Sequence, residues 1–267
     1  NSMHNLGLYY HTIELNYDLM KQYYLMAIEL GDVDTMYKLG TYYYRIEVNR
    51  DLMKKYYMMA VEHGDSSAMS DLGLYYDEVE QNYDLMKKYY LMAIELNNSK
   101  AMHNLALYYD EHEQNFELMT KYYLMTIEQG GKNALDAMVN LAIYYGEIEQ
   151  IDLKAKYYAM AAELGDVEAM LTLGEHYINN SEYDLGIKYC KNAMENGYDL
   201  NSPSSDIDML RWYIFKNQLA YKIDESKITN DIAILRNKLN MSCKTMTCPV
   251  CLEDEQECIP YNCCHYN

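Results

Sequence analysis

The sequence predicts an all-α protein: an α-solenoid of about six helix-turn-helix repeats, then a C-terminal helical cap, then a short cysteine-rich segment. Three observations carry this. One phrase, D-L-M-K-K-Y-Y-L-M-A-I-E-L at Asp84–Leu96, returns in relatives starting at Asp18, Asp51, Glu117, Asp152 and Asp184. Its apolar residues follow a helical period rather than strict alternation. Only 3 prolines and 12 glycines occur in 267 residues, too few turn formers for an all-β chain.

The copies start at intervals of 33, 33, 33, 35 and 32 residues. A second phrase, A-M-x-x-L-G-x-Y-Y, keeps the same beat, with its small residue at Gly7, Gly40, Gly73, Ala106, Ala142 and Gly174. Extra residues in Gly130–Met138 account for the one long interval.

Each copy reads as two helices. In the longer, Leu85, Tyr89, Met92 and Leu96 fall at offsets 0, 4, 7 and 11, an apolar stripe. Asp84 is expected to open it, at the positive end of the helix dipole and four residues before Lys88. The shorter helix is expected over about 100–109. Between copies, Gly31-Asp32, Gly64-Asp65 and Gly165-Asp166 supply a left-handed glycine stop and an aspartate cap. A lone helix pair would leave its wide stripe exposed, and stacking covers it. The small residue of the shorter helix is expected to let a neighbouring helix approach closely.

Taken together, A-M-x-x-L-G-x-Y-Y and the following D-x-x-K-x-x-x-Y-x-x-x-A-x-E-x-G-D helix resemble the Sel1-like repeat (SLR) family, which is related to the tetratricopeptide repeat. The resemblance covers about residues 1–198 and implies a right-handed solenoid. Family repeats usually carry a longer, glycine-rich loop between the two helices. Here that loop is short and acidic, as in Asp77-Glu78-Val79-Glu80-Gln81-Asn82. The Tyr-Tyr and Leu-Met phrasing is also similar to repeat proteins of large DNA viruses.

The copies differ most just after the methionine of the shorter helix. The pairs are His4-Asn5, Tyr37-Lys38, Ser70-Asp71, His103-Asn104, Val139-Asn140 and Leu171-Thr172. In the resembled families this helix lines the concave face. Asn5, Lys38, Asp71, His103, Asn104, Asn140 and Thr172 are therefore the candidate partner-binding residues, and ordinary surface variation is the competing reading. Acidic side chains recur in the loops at Asp77, Glu78, Glu80, Asp110, Glu111, Glu113, Glu147 and Glu149. They form either an edge for a basic partner or a solvated rim. The tyrosine and methionine stripes are expected to be core.

The net charge is −19, and −17 of it lies in residues 1–200. Such acidity disfavours sequence-independent binding to nucleic acid or to anionic membranes. No run of 18 apolar residues and no signal-peptide pattern is present, so no membrane anchorage is expected. Six of the 7 cysteines fall in the last 25 residues, which suits a metal site in an intracellular, cytoplasmic setting better than a disulfide framework.

Three domains are expected: the repeats at 1–198, a helical cap or linker at 199–242 and a zinc module at 243–267. A cap helix is expected to start at Ser205 or Asp206 and to carry Trp212. A further helix over about 226–240 has Ile228, Ile232, Leu235 and Leu239 on one stripe. It would either pack on the cap or pair two chains.

Cys248-Pro249-Val250-Cys251-Leu252, eleven residues and Cys263-Cys264-His265 place soft thiolates and an imidazole at zinc-ligand spacing. The pattern resembles the first half of a RING finger. That resemblance assigns Cys248 and Cys251 to a first zinc site, Cys263 and His265 to half of a second, and Val250 to the contact with a ubiquitin-conjugating enzyme. The later ligand pairs are missing before Asn267, so zinc would bind only if the module is completed or improvised. The chain is accordingly expected to begin inside a repeat and to stop inside the zinc module.

No G-x-G-x-x-G, P-loop, G-x-S-x-G or H-E-x-x-H occurs, and the histidines are scattered. No catalytic site is expected in these residues. Two functions follow: a scaffold that binds a protein or peptide, and the substrate-recruiting solenoid of a RING-type ubiquitin ligase.

Overall fold

The structure is a computed structural model that describes residues 2–180 and 182–197. Twelve helices and no strand are present among the described residues. They alternate as A and B helices of hairpins: α1 (Ser2–Thr12) with α2 (Tyr17–Glu29), α3 (Val33–Arg45) with α4 (Arg50–Glu62), and α5 (Ser66–Glu78) with α6 (Tyr83–Glu95). Next come α7 (Ser99–Glu111) with α8 (Phe116–Gln129), α9 (Lys132–Glu147) and α10 (Ile151–Glu163), and α11 (Val167–Asn179) with α12 (Tyr183–Glu195). The chain divides into two compact units, residues 1–157 and 158–267, described separately below. The expected cap at 199–242 and zinc module at 243–267 lie outside the described residues.

The A helix is not the shorter one, since α5 and α6 each have 13 residues. Its extra length hides in Ser66–Ser67 and Asp77–Glu78, polar residues that continue the helix past the apolar phrase. The B helix opens one residue before the expected aspartate. Asn16, Asn49, Asn82 and Asn115 are its caps, and their side chains accept from the backbone amides of Leu19, Leu52, Leu85 and Leu118. Asp84 therefore sits in the first turn, where it favours the dipole without capping. The A helix does start on the expected residue. Asp32, Asp65 and Asp166 cap it, after Gly31, Gly64 and Gly165 at positive φ. Asn97-Asn98 replaces Gly-Asp before α7, and Asn97 takes the left-handed backbone at φ 58°. The inserted stretch passes through Gly130 and Gly131, both at positive φ, and lengthens α9 to 16 residues.

The buried stripe of the B helix is one residue out of the expected phase. Met86, Tyr89, Tyr90 and Ala93 are buried, at offsets 0, 3, 4 and 7, while Leu96 is 49% exposed. Tyrosine and methionine do form the core: Met20, Met53, Met86 and Met119 are fully buried, as are Tyr24, Tyr90 and Tyr123.

In the first unit a Cβ on Gly40 would lie 2.5 Å from Tyr57 Cδ1, and one on Gly73 would lie 2.5 Å from Tyr90 Cδ1. The small residue thus seats the second tyrosine of the B helix in its own hairpin. The first tyrosine of that pair stacks on an A-helix tyrosine. Tyr43–Tyr56, Tyr76–Tyr89, Tyr109–Tyr122 and Tyr145–Tyr157 lie within 8° of parallel, at centroid distances of 5.5–5.9 Å. Each such offset pair adds about 0.5–1.5 kcal/mol to simple burial.

Hairpins join through α2 on α3, α4 on α5 and α6 on α7. Helix α7 also packs directly on both α5 and α9. Helices α5, α7 and α9 thus form one layer, and Tyr37 of α3 reaches it through its hydrogen bond to Asp71. In the second unit α11 packs on α12.

Candidate functional site on the A-helix face

In the first unit the variable pairs recur on successive A helices because the hairpins repeat in register. Three of their second members, Asp71, Asn104 and Asn140, receive a tyrosine hydroxyl. Tyr90, seated under Gly73, emerges so that Asn104 Nδ2 donates to its Oη at 3.3 Å. Asn140 Nδ2 donates to Tyr123 Oη at 3.0 Å. Tyr57 Oη donates to Asp71 Oδ2 at 3.3 Å and also meets Thr41 Oγ1 at 3.2 Å. Asn104, Asn140 and Asp71 each belong to the repeat after the tyrosine, whereas Thr41 belongs to the hairpin of Tyr57 itself. Burial raises the pKa of all three tyrosines above the ordinary phenol range, so they stay protonated. Lys38 holds the same position in α3 but pairs with Asp34 at 3.5 Å, and Tyr24 Oη makes no hydrogen bond.

The structure thus gives several sequence candidates internal partners. Asp71, Asn104 and Asn140 stitch repeats together. In the second unit Thr172 donates to Glu168 O at 2.9 Å. Asn5 is exposed, and no hydrogen bond ties it to the next repeat. His103 packs 5.6 Å from the Tyr123 ring, and its buried Nδ1 has no partner. Burial lowers the pKa of His103, and Asp136 opposes that shift. Cys248, Val250, Cys251, Cys263 and His265 lie outside the described residues.

Asp71 is the hub of a polar group drawn from three repeats. Tyr37 Oη donates to its Oδ2 at 3.0 Å, and Lys100 Nζ donates to its Oδ1 at 2.7 Å. Beside it Asn98 Nδ2 donates to Ser66 O at 3.0 Å. These residues border a recess of about 360 Å³ between α5 and α7, with Ser67, Ser70, Asn97 and Ser99. Ser70 is fully buried, and its Oγ has no hydrogen-bond partner. Lys100 escaped the sequence reading because it stands in the first turn of α7, outside the variable pairs; Tyr37 and Ser70 are first members of those pairs but were not among the seven named residues.

Two of the loop acids, Glu80 and Glu113, are tied into the structure, whereas Glu78, Glu111, Glu147 and Glu149 are exposed. Glu80 takes a hydrogen bond from Lys54 of the preceding B helix, which holds its carboxyl below the usual range, and another from Tyr75. Glu113 does the same with Lys87 and Tyr108. Glu47 accepts from Lys21 at 3.2 Å. Asp77 and Asp110 behave differently: burial raises their pKa.

No protein-family model matches the chain, and no curated protein matches it by sequence. Solved structures do match. A Sel1 repeat protein from Oxalobacter formigenes superposes with a TM-score of 0.62 at 21% identity, over 88% of this chain and 99% of that one. The fold is that of an SLR protein. The SLR-fold protein c5321, a protective antigen of uropathogenic Escherichia coli, gives a TM-score of 0.59 at 20% identity. It matches 90% of this chain, which spans 56% of that protein's length. Among the described residues no helix is long and apolar enough to cross a membrane. Nor do three His, Cys, Asp or Glu side chains gather there to hold a metal. The SLR hairpins instead offer a patterned surface, polar on the A layer and built by side chains from consecutive repeats.

Proposed function

We infer that the first unit is a protein-interaction scaffold that takes a partner segment along its A-helix face. The observation that carries this is the Asp71 recess. It gathers residues of three consecutive repeats, and its buried Ser70 hydroxyl lacks a partner. Amides, hydroxyls and one ion pair line it, which suits the main chain and polar side chains of a peptide better than apolar anchors. Selection of linear peptides from a displayed library on the 267-residue chain tests the reading. The enriched peptide should bind the Asp71→Ala and Ser70→Val variants at least tenfold more weakly, by calorimetry. Equal affinity for wild type and variants, or no enrichment, rejects it.

A second reading rests on Cys248-Pro249-Val250-Cys251, eleven residues and Cys263-Cys264-His265. It makes the solenoid the substrate-recruiting part of a RING-type ubiquitin ligase inside the cell. Cys248, Cys251, Cys263 and His265 would ligate zinc, and Val250 would touch the conjugating enzyme. Zinc content measured on the purified chain and on Cys248→Ala decides its first step. Equal zinc in the two, or none in either, removes the metal site on which the ligase reading depends.

A further inference from the structure

The B helices carry a second pattern, on the side opposite their buried stripe. Four exposed residues recur along each: Asp51, Lys55, Met58 and Glu62 on α4, and Asp84, Lys88, Leu91 and Glu95 on α6. Helices α2 and α8 repeat the frame, with Gln22 as the one uncharged member of the lysine row. Because the hairpins repeat every 33 residues, each position recurs in register from one B helix to the next, a row in this sense.

The apolar row is Leu25, Met58, Leu91 and Leu124, each 38–45% exposed. Single exposed apolar residues are ordinary, but four in register make a line. In sequence the line ends at Ala159 and Lys191, the corresponding residues of α10 and α12. A row of lysines, Lys55, Lys88 and Lys121, flanks it on one side. A row of glutamates, Glu62, Glu95 and Glu128, flanks it on the other. None of these six charges forms an ion pair among the described residues, whereas the inward Lys21, Lys54 and Lys87 are all paired. Each lysine of the outer row is instead held over a tyrosine ring, at 5.2–5.5 Å from the centroid.

We propose that this face binds a second copy of the chain. The geometry of the rows selects one arrangement. Lysine lies three residues before the apolar position and glutamate four after it, so about 4.5 and 6 Å along the helix. A two-fold axis along the apolar row turns each B helix antiparallel to the one it meets. Leucine then faces the apolar row of the other copy, and the lysine row meets the glutamate row with an offset of about 1.5 Å. A two-fold axis across the rows would set lysine against lysine. The same surface is therefore self-complementary in one orientation only, as an isologous contact requires. The acids of the first turn, such as Asp84, fall beyond the paired rows.

The test is the oligomeric state of the 267-residue chain, by sedimentation equilibrium up to about 1 mM. Wild type should reach twice the chain mass, and Met58→Lys with Leu91→Lys should remain at one. One triple variant, Lys55→Glu, Lys88→Glu and Lys121→Glu, should be monomeric alone. So should its counterpart, Glu62→Lys, Glu95→Lys and Glu128→Lys. The two mixed should form a heterodimer, because glutamate rows then meet lysine rows on both flanks. All the changed residues are exposed, and unchanged circular dichroism shows that each variant is folded. A wild-type monomer at every concentration overturns the proposal and leaves the row to a different partner or to residues 198–267. A dimer that survives the apolar substitutions, or a mixture that stays monomeric, also overturns it.

Discussion

The α5–α6 and α11–α12 hairpins run on the same frame but fill it in opposite ways. In α5–α6 a glycine faces large side chains: Gly73 seats the Tyr90 ring, with Met86 fully buried nearby. In α11–α12 the corresponding B residues are Cys190 and Gly186. A Cβ on Gly174 would lie 2.5 Å from Cys190 Sγ and 3.3 Å from the Gly186 carbonyl oxygen. The later hairpin has exchanged side-chain volume for close backbone approach. What the repeat preserves is contact between its two helices, and tyrosine is only one way to achieve it.

Four measurements break or sharpen this contrast. Tyr90→Ala should have the largest effect, because it empties a site that no backbone shift refills. The expected loss is about 3–5 kcal/mol in denaturant unfolding. Gly186→Ala comes second. Its Cβ would lie 2.5 Å from Ile178 Cγ1 and 2.9 Å from the Gly174 carbonyl oxygen, and backbone cannot rotate aside as a ring can. About 1–3 kcal/mol should be lost.

The third concerns alkaline pH. Burial pushes the Cys190 thiol from an ordinary value near 9 up to about 12. The folded state therefore holds the proton that the unfolded state gives up. That stability is complete below about pH 9 and fades as pH rises toward 12. Relative to Cys190→Ala, wild type should lose about 1–2 kcal/mol between pH 7 and pH 10.5, read from thermal melts. Tyr90 starts from the phenol value of 10, so the α5–α6 hairpin should weaken only at higher pH. The smallest effect belongs to Gly73→Ala. Ala106 already occupies that position above Tyr123 and is fully buried, so the ring has a way to yield. A change under about 1 kcal/mol is expected. A loss as large as that of Gly186→Ala would erase the distinction between yielding ring and unyielding backbone.

The repeat made the fold legible, because six copies of one phrase state period, helix count and stop signals together. The phase of the B helix was not legible. Tyr89-Tyr90-Leu91-Met92 is apolar at every position, so two stripes fit it, and small Ala93 marks the buried one. The A-face positions were found by their variation, but its cause was hidden. Asp71, Asn104 and Asn140 differ as partners for a tyrosine hydroxyl from the repeat before, a contact that only the stacked structure displays. The Asp71 recess was half legible: Asp71 varies visibly, whereas Lys100 stands in the first turn of α7, outside the pairs compared.

That hydroxyl contact imposes a grammar on repeat duplication. A hairpin carrying Asn at the receiving position can follow any hairpin that ends in a buried tyrosine, because amide and hydroxyl each donate and accept. A hairpin carrying lysine there cannot accept the hydroxyl's proton, and where Lys38 follows Tyr24 the hydroxyl makes no bond. Copying the α7–α8 segment in tandem would thus yield a longer solenoid with every join closed. Copying α3–α4 would set Lys38 against Tyr57 at each new join, where no side chain of the next repeat accepts the hydroxyl's proton, so the archive of past duplications in this chain should be richest in asparagine.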